Sequence, residues 1–253
     1  MTKTAAPMTS GSIWKQMTFF AMPIFLGNLF QQLYNTVDSL IVGNFLGSSA
    51  LAAVSSSGSL IFMLIGFLSG ISAGAGVIVA RFFGAGDEKN LQRAVHTTVA
   101  FGLVAGVLMT GVGVALSPQI LRWMDTPESV MRESVTYLQI YFAGSLGFVM
   151  YNVLVGILQA VGDSRHPLYY LIVSSVINLV LDLLFITGFH TGVGGAAVAT
   201  VISQIVSALL CFWQLLRTKE SYGLKIRKIR FDKGILVPVS YTHLRAHETS
   251  AHL

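Results

Sequence analysis

Two aspartates interrupt long apolar stretches of the chain, and their side chains are its strongest candidates for chemistry. Asp38 lies within the first stretch and Asp182 within the fifth. Placing an ionised aspartate near the centre of a lipid bilayer costs about 3 kcal/mol on insertion scales. Because asparagine would fill the same space without that cost, we interpret both carboxylates as functional groups that face the interior of a helix bundle.

Polar side chains at helical spacing form four stripes, and two of the stripes contain these aspartates. Residues three, four and seven apart share one face of an α-helix. Four such stripes can line a single polar cavity inside a bundle. The alternative is that they only hydrogen-bond between helices, at about 0.6 kcal/mol each. The stripes are Gln31, Tyr34, Asn35 and Asp38; Asn178 and Asp182; Thr200, Gln204 and Ser207; and Asn152 with Gln159.

Neither carboxylate has a fixed basic partner, since the apolar stretches contain no lysine or arginine. Each must therefore take up a proton, a metal cation or a cationic substrate. Loss of solvent and a second carboxylate nearby both favour the protonated form of a carboxylic acid. Oxygen ligands of the kind that Asp, Asn and Thr provide also suit a hard cation such as Na⁺. The residue types leave H⁺ and Na⁺ both open, and they predict no organic cofactor.

The elements that must position these groups are apolar segments long enough to cross a membrane, for which a helix needs about 20 residues. Only 11% of the 253 residues are charged and 53% are hydrophobic, whereas a soluble domain carries about 25% charged residues. We therefore predict an all-α, polytopic membrane protein surrounded by a lipid bilayer. The six predicted spans are 17–41, 52–80, 95–116, 134–158, 167–187 and 193–216.

Two local signals predict where helices end and where they pack. Ser117 and Pro118 are expected to close the third span, because proline interrupts the helical hydrogen-bond ladder. In the second span, Gly66, Gly70 and Gly74 recur four residues apart, a spacing that lets two helix backbones approach closely in lipid. Close packing is the favoured interpretation of these glycines, and a hinge or the wall of a conduit is the alternative.

Basic residues between the spans predict the orientation of the chain. Thirteen lie on one side of the six-span arrangement, and two, Arg122 and Arg132, lie on the other. Lys and Arg mark the cytoplasmic side, so the N-terminus and the run 217–233 are expected there, with that run as a lipid-facing linker. His96, at the head of the third span, is expected to be a flank residue. Nucleic acid is not expected as a partner, because the basic residues do not share one face.

The last 15 residues, 239–253, differ in character from the rest of the chain. They hold three of its six histidines and resemble one reading frame of a transposase-based sequencing adapter. We expect this tail to be non-native and the natural protein to continue beyond residue 238. A histidine-rich metal site is the alternative.

The sequence lacks the local signatures of common enzymes. It contains no Walker A motif, no H-E-x-x-H pair and no nucleophile elbow. Residues 192–197 resemble a dinucleotide fingerprint, but no predicted strand precedes them. A single cysteine, Cys211, leaves no disulfide or cysteine-based metal framework. We therefore predict that the protein is not an enzyme.

Five stretches together resemble the amino-terminal half of bacterial transporters of the multidrug and toxic compound extrusion (MATE) family. Each stretch is short, but their order and spacing make the set specific, and the resemblance extends over about residues 13–238. The stretches are 23–43 in the first span, 84–87 after the second, 158–165 after the fourth, and 178–182 and 192–200 in the fifth and sixth.

The resemblance implies a fold of twelve helices in two six-helix lobes around a central cavity. This chain would supply the first lobe, 1–216, and a basic cytoplasmic linker, 217–238, towards a missing second lobe. The implied activity is antiport in the bacterial inner membrane, with amphipathic or cationic compounds exported in exchange for H⁺ or Na⁺. A flippase of the same superfamily and a non-transporting half-size partner stay open as alternatives.

The resemblance also implies roles for individual residues. Loading of the cation is expected to change the packing of the first helix, where Pro23 offers a bend point. The expected cation-coupling residues, which are also the metal ligands if Na⁺ is the ion, are Asp38, Asn178, Asp182 and Thr200. The expected cavity or substrate residues are Gln31, Tyr34, Asn35, Asn152 and Gln204.

Overall fold

The computed structural model describes residues 12–232 and 234, and within them the chain forms helices and no strand. The predicted all-α fold is confirmed. The helices are α1 (Ile13–Leu46), α2 (Ser48–Gly84), α3 (Glu88–Trp123), α4 (Glu128–Ala143), α5 (Ser145–Ala160), α6 (Arg165–Leu183), a π-helical turn (Leu184–Gly188), α7 (Gly192–Arg217) and a 3-10 turn (Ile226–Lys228).

Helices occupy all six positions at which spans are predicted. Four of them (α2, α3, α6 with its π-helical turn, and α7) are long and apolar enough to cross a membrane, and α4 with α5 makes a fifth, bent span. Helix α1 has 34 residues, which is about 50 Å at 1.5 Å per residue. This length is sufficient to cross a membrane. The polar stripe of α1, however, makes this helix less apolar than the four helices named above.

A buried apolar core joins α2, α3, α5 and α7. Leu68, Val99, Leu154 and Leu215, one from each of these helices, belong to a single cluster and are at most 2% exposed. Lipid tails are as apolar as leucine, so close van der Waals packing rather than exclusion of water holds such a core together. Helix α1 lies at the side of this core, against α6 and α2.

Helices α2 and α5 pack closely at Gly156, which lies outside the predicted glycine stripe. A Cβ on Gly156 would collide with Ser72 Oγ and lie 2.9 Å from the Ser72 carbonyl oxygen. The Ser72 hydroxyl donates to the Asn152 carbonyl at 2.6 Å across the same contact. A Cβ on Gly66 or Gly70 would meet nothing within 4 Å. Within the described chain, these two glycines pack against no other helix and lie on an open face of α2.

Helix α3 continues through Ser117 and Pro118 to Trp123, so its predicted end is wrong. Proline cannot donate a hydrogen bond to the carbonyl four residues before it, which here belongs to Val114. Gln139 of α4 donates to that carbonyl from Nε2 at 3.4 Å. A neighbouring side chain that satisfies the freed carbonyl makes an internal proline tolerable in a membrane helix.

The fourth span is broken, not straight. Helix α4 ends at Ala143, α5 begins at Ser145, and the two axes are bent by 49°. A Cβ on the intervening Gly144 would collide with the side chain of Val201 in α7. Glycine therefore lets the corner of the span pack directly against α7.

The segment after α7, residues 218–232, folds back onto the bundle, and we call it the strap. The Leu224 amide donates to the Leu215 carbonyl of α7 at 2.9 Å, and the Lys225 amide donates to His96 Nε2 of α3 at 3.0 Å. His96 lies near the start of α3, as predicted, but it is only 3% exposed because the strap covers it. The expected linker is therefore packed against the bundle along one side over the length of the strap.

Parts of the predicted division of the chain lie outside the described residues. These parts are the first 11 residues of the predicted lobe 1–216, all of the linker 217–238 beyond residue 232 except Gly234, and the whole tail 239–253. The boundaries of the lobe, the linker and the tail therefore stay predictions.

Candidate functional site

The two predicted acids meet inside the bundle. Asp38 lies on α1 and Asp182 near the end of α6, and these helices pack side by side. Asp38 is 9% exposed and Asp182 is fully buried, and their carboxyl groups are close enough to interact with each other. In each of them Oδ1 is buried without a hydrogen-bond partner. The pair therefore presents two oxygens that can accept a proton or a cation.

Asn178 connects this acid pair to α7. Its side-chain nitrogen donates to Asp182 Oδ2 at 2.8 Å, and its side-chain oxygen accepts from the Thr200 backbone N–H at 3.2 Å. Asn178 is 1% exposed and Thr200 is 8% exposed. The predicted coupling residues of α6 and α7 thus come together with the first-helix aspartate in one buried network.

Three tyrosines surround the network, and only Tyr34 is predicted from the sequence. The Tyr34 hydroxyl lies near the Thr200 side chain. Tyr137 of α4 lies close enough to both carboxyl groups to interact with them electrostatically, and it stacks on Tyr141 with ring centroids 6.4 Å apart. The spacing of Tyr137 and Tyr141, four residues apart in one span, is the signal that could have found them. An aromatic pair at that spacing usually indicates packing alone, so it carries little weight without a structure.

The backbone leaves regular α-helix geometry directly after Asp182. Leu184–Gly188 forms a π-helical turn, a feature that is frequent at functional sites. At the start of α7, a Cβ on Gly195 would collide with the Thr191 hydroxyl and lie 3.0 Å from Phe185 Cβ. Glycine at this position lets α7 pass close to the π-helical turn, which brings the rest of α7 within reach of the acids.

A cavity of about 630 Å³ is bounded mainly by α1, α2, α5 and α6. Within the described part of the chain, amides and hydroxyls form its polar lining, and no charged side chain lines it. Three of the four predicted polar stripes contribute to this cavity, whereas Asp38, Asn178 and Asp182 are not part of its lining. The amide side chains that line the cavity are Asn28, Gln31, Asn152, Gln159 and Gln204.

The predicted cavity residues are not all in the same place. Gln31, Asn152 and Gln204 line the cavity, and Gln204 Oε1 is buried without a hydrogen-bond partner. Asn35 is exposed on α1, where its amide lies 3.4 Å from the Gln32 side-chain oxygen. Asn35 therefore joins neither the acid network nor the cavity lining.

Two helices connect the acid network to the cavity. On α1, Tyr34 belongs to the network and Gln31, almost one turn away, lines the cavity. On α7, Thr200 belongs to the network and Gln204, about one turn away, lines the cavity. A shift of either helix when the acids change their ligand would therefore also move a wall of the cavity.

The acid pair can hold a proton or a single monovalent cation. In the described part of the chain the ion pairs involve other acids and reach neither Asp38 nor Asp182. Two carboxylates this close repel each other when both are ionised, so a shared proton or a bound cation is needed. If Na⁺ were the ion, the two Oδ1 atoms and the Thr200 hydroxyl would be the candidate hard oxygen ligands. Clusters of three or more His, Cys, Asp or Glu side chains do not occur among residues 12–232 and 234.

The chain is similar to known membrane transporters. The sequence model of the MatE family matches residues 23–184, a range that contains both acids. "Probable multidrug resistance protein YoeA" of Bacillus subtilis (strain 168) is 36% identical over 233 residues, which are 89% of this chain and 50% of that protein. "Probable multidrug resistance protein YpnP" of the same strain is 34% identical over 215 residues, 85% of this chain and 48% of that protein. The chain spans about half the length of the curated relatives it matches.

Solved structures have the same helical fold. "MATE in the bent conformation" matches with a TM-score of 0.86 at 26% identity, over 93% of this chain and 53% of that one. "MATE in the straight conformation" also matches with a TM-score of 0.86 at 26% identity, over 99% and 56%. Since the two scores are equal, the likeness concerns the fold of the lobe and not one particular conformation of it.

Proposed function

This chain belongs to the MatE family, and on that premise we propose that it forms the amino-terminal lobe of a multidrug exporter. The exporter lies in the bacterial inner membrane as a multi-pass protein with its N-terminus in the cytoplasm. It exchanges amphipathic or cationic compounds for H⁺ or Na⁺. The linker 217–238 leads towards a second lobe that completes the central cavity.

The observation that carries this proposal is the buried pair of Asp38 and Asp182. The two carboxyl groups face each other without a basic partner, and each has one orphaned oxygen. Such a pair is costly to keep in a membrane lobe and is suited to loading and releasing a cation. An aspartate and an asparagine at these positions would serve equally well if helix packing were the only requirement.

Coupling to the substrate follows from the position of α1. This helix carries Asp38 at one end of its polar stripe, while Gln31 and Pro23 line the cavity. Pro23 lies inside α1 and is a point where the helix can bend. Loading of the acids changes the attraction between α1 and α6, so α1 moves, and the wall of the substrate cavity moves with it.

The experiment that tests this function is a chimera in which residues 12–232 replace the matching half of YoeA. We expect cells carrying the chimera to expel ethidium, and Asp38→Asn or Asp182→Asn to reduce the efflux to that of cells without a transporter. Asp125→Asn is the matched control, because Asp125 is exposed in a loop with φ 52°, a conformation that asparagine also adopts. Imposed pH and Na⁺ gradients in membrane vesicles then identify the coupling ion.

Unchanged efflux from the Asp38→Asn chimera, at equal expression, would contradict the proposed role of the acid pair.

The lining of the cavity distinguishes the exporter from the flippase alternative. A lipid-linked phosphate needs basic side chains to receive it, and the cavity lining described here contains none. The exporter is therefore the better supported of the two functions.

A further inference from the structure

The strap is anchored to the head of α3 by polar side chains that hold its backbone. Gln92 Nε2 donates to the Gly223 carbonyl at 3.0 Å. His96 Nε2 accepts from the Lys225 amide at 3.0 Å. These bonds satisfy backbone groups that would otherwise need water, so the strap has a fixed path across the end of the bundle.

Further contacts fix the remainder of the strap. The Asp232 amide donates to Thr97 Oγ1 at 3.2 Å, and the Asp232 carboxylate pairs with Arg93 at 2.8 Å. Leu224 is 3% exposed, and the Tyr222 ring packs edge-on against Phe83 at 6.1 Å. One side of the strap is therefore committed to the protein, and the side chains on its other side are displayed from a rigid support.

That outer side is strongly basic. Residues 217–232 carry six basic side chains and two acids, and Asp232 is already paired with Arg93. Among the basic residues, Lys225, Arg227, Lys228 and Arg230 are all exposed. Their charges are thus neither buried nor neutralised within the described chain.

Apolar and aromatic side chains alternate with these charges. Ile226 is 60% exposed and Phe231 is 48% exposed. Close by, at the end of α7, the Arg217 guanidinium lies 4.3 Å above the ring of Trp213, and that ring is 49% exposed. Aromatic rings beside Lys and Arg are typical of the boundary between a bilayer and water.

We propose that the strap is a docking surface for anionic phospholipid headgroups. Lys225, Arg227, Lys228 and Arg230 pair with the lipid phosphates, while Ile226 and Phe231 enter the headgroup layer. The position at the common end of α3 and α7 favours a membrane as the partner, because both helices cross the bilayer from there. Lipid binding by the strap does not depend on transport, so its test is independent of the test of the proposed function.

The test measures the lipid next to Trp213 in the full chain. Trp14 and Trp123, which are 80% and 71% exposed, are replaced by phenylalanine so that Trp213 is the remaining tryptophan. The chain is placed in phosphatidylcholine nanodiscs with equal fractions of either brominated phosphatidylglycerol or brominated phosphatidylcholine. We expect stronger quenching by the anionic lipid, and a preference that declines as salt is raised.

The variant Arg227→Gln with Lys228→Gln removes two charges whose side chains take no part in anchoring the strap. At about 1 kcal/mol per basic residue near an anionic surface, the preference for phosphatidylglycerol should weaken about 30-fold. The matched control, Arg122→Gln with Arg132→Gln, removes two exposed charges at the opposite end of the lobe and should keep the preference. Equal quenching by the two lipids in the chain that keeps only Trp213, or a preference that Arg227→Gln with Lys228→Gln leaves intact, would overturn the proposal.

Discussion

Asp87 is a partly exposed aspartate whose role in the chain is local. It caps α3: its carboxylate accepts from the Asn90 amide at 3.0 Å and from Asn90 Nδ2 at 2.7 Å. These hydrogen bonds, the backbone one first, hold the pKa of the Asp87 carboxyl below its usual value. The charge is used locally, to begin a helix, and this distinguishes Asp87 from the two acids in the bundle.

The capping role of Asp87 predicts a pH dependence of stability. A carboxyl whose folded pKa is lowered stabilises the protein above its unfolded pKa, and that contribution is lost as pH falls through the folded pKa. Asparagine also caps a helix but does not titrate in this range. We therefore expect the unsubstituted chain to have a higher melting temperature than the Asp87→Asn variant at neutral pH. This difference in melting temperature should vanish in acid. Thermal unfolding in detergent at several pH values measures it, and a constant difference would contradict the prediction.

Residue types and spacing were sufficient to find most of the acid network. An acid within an apolar stretch is rare enough to stand out alone, and helical spacing then points to Tyr34 and Asn178. Tyr137 could not be found in this way, because its nearness to the acids depends on how α4 packs. The same limit applies to Asn35, which shares the spacing of the stripe but lies outside the network. The cation-coupling role of these residues stays a prediction.

At the scale of helices, the contact between α2 and α5 depends on one missing side chain. The Cβ of Gly156→Ala would press on the backbone of Ser72, which cannot rotate away as a side chain can. Overpacking of this kind typically costs about 1–3 kcal/mol. We expect Gly156→Ala to lower the melting temperature of the chain and to weaken the hydrogen bond from Ser72 to the Asn152 carbonyl.

Gly66→Ala is the matched control for this contact. It makes the same chemical change within a helix, where a Cβ meets nothing within 4 Å. Alanine is favoured over glycine in a helix by about 0.8–1.0 kcal/mol, so this variant should melt at the same or a higher temperature. Equal destabilisation by both variants would show that the α2–α5 contact is looser than described here.

The positions of the helices were predictable, whereas their irregularities were not. Six spans follow from length and apolarity, because each property is local to a segment. The continuation of α3 past Pro118 depends on Gln139 in the next helix, and the bend at Gly144 depends on Val201 in α7. Docking of the strap depends on partners up to 135 residues away in sequence. Such long-range partners cannot be read from a local pattern.

At the scale of the whole molecule, the lobe has an open side. The open face of α2 carries Gly66 and Gly70, and Phe62 and Met63 on the same helix are 75% and 63% exposed. Lipid or a second lobe can cover such surfaces. One lobe cannot enclose a central cavity, so the 253-residue chain should not transport by itself.

The inability of the isolated lobe to transport can be measured in proteoliposomes. We expect the purified chain to give no more ethidium uptake than empty liposomes, while the chimera with YoeA does transport. Saturable uptake by the isolated chain that Asp38→Asn abolishes would contradict this expectation. It would mean that two copies pair to form the complete cavity.

The strap also imposes an order on biosynthesis. The side chains of Gln92, His96 and Thr97 leave the ribosome long before their partners, since their bonds reach 129 to 135 residues ahead. During that interval the head of α3 has polar groups without their final partners. Its last native contacts form only after α7 has been made, so a nascent chain that stalls within α7 presents an unfinished surface to the quality-control proteases of the membrane.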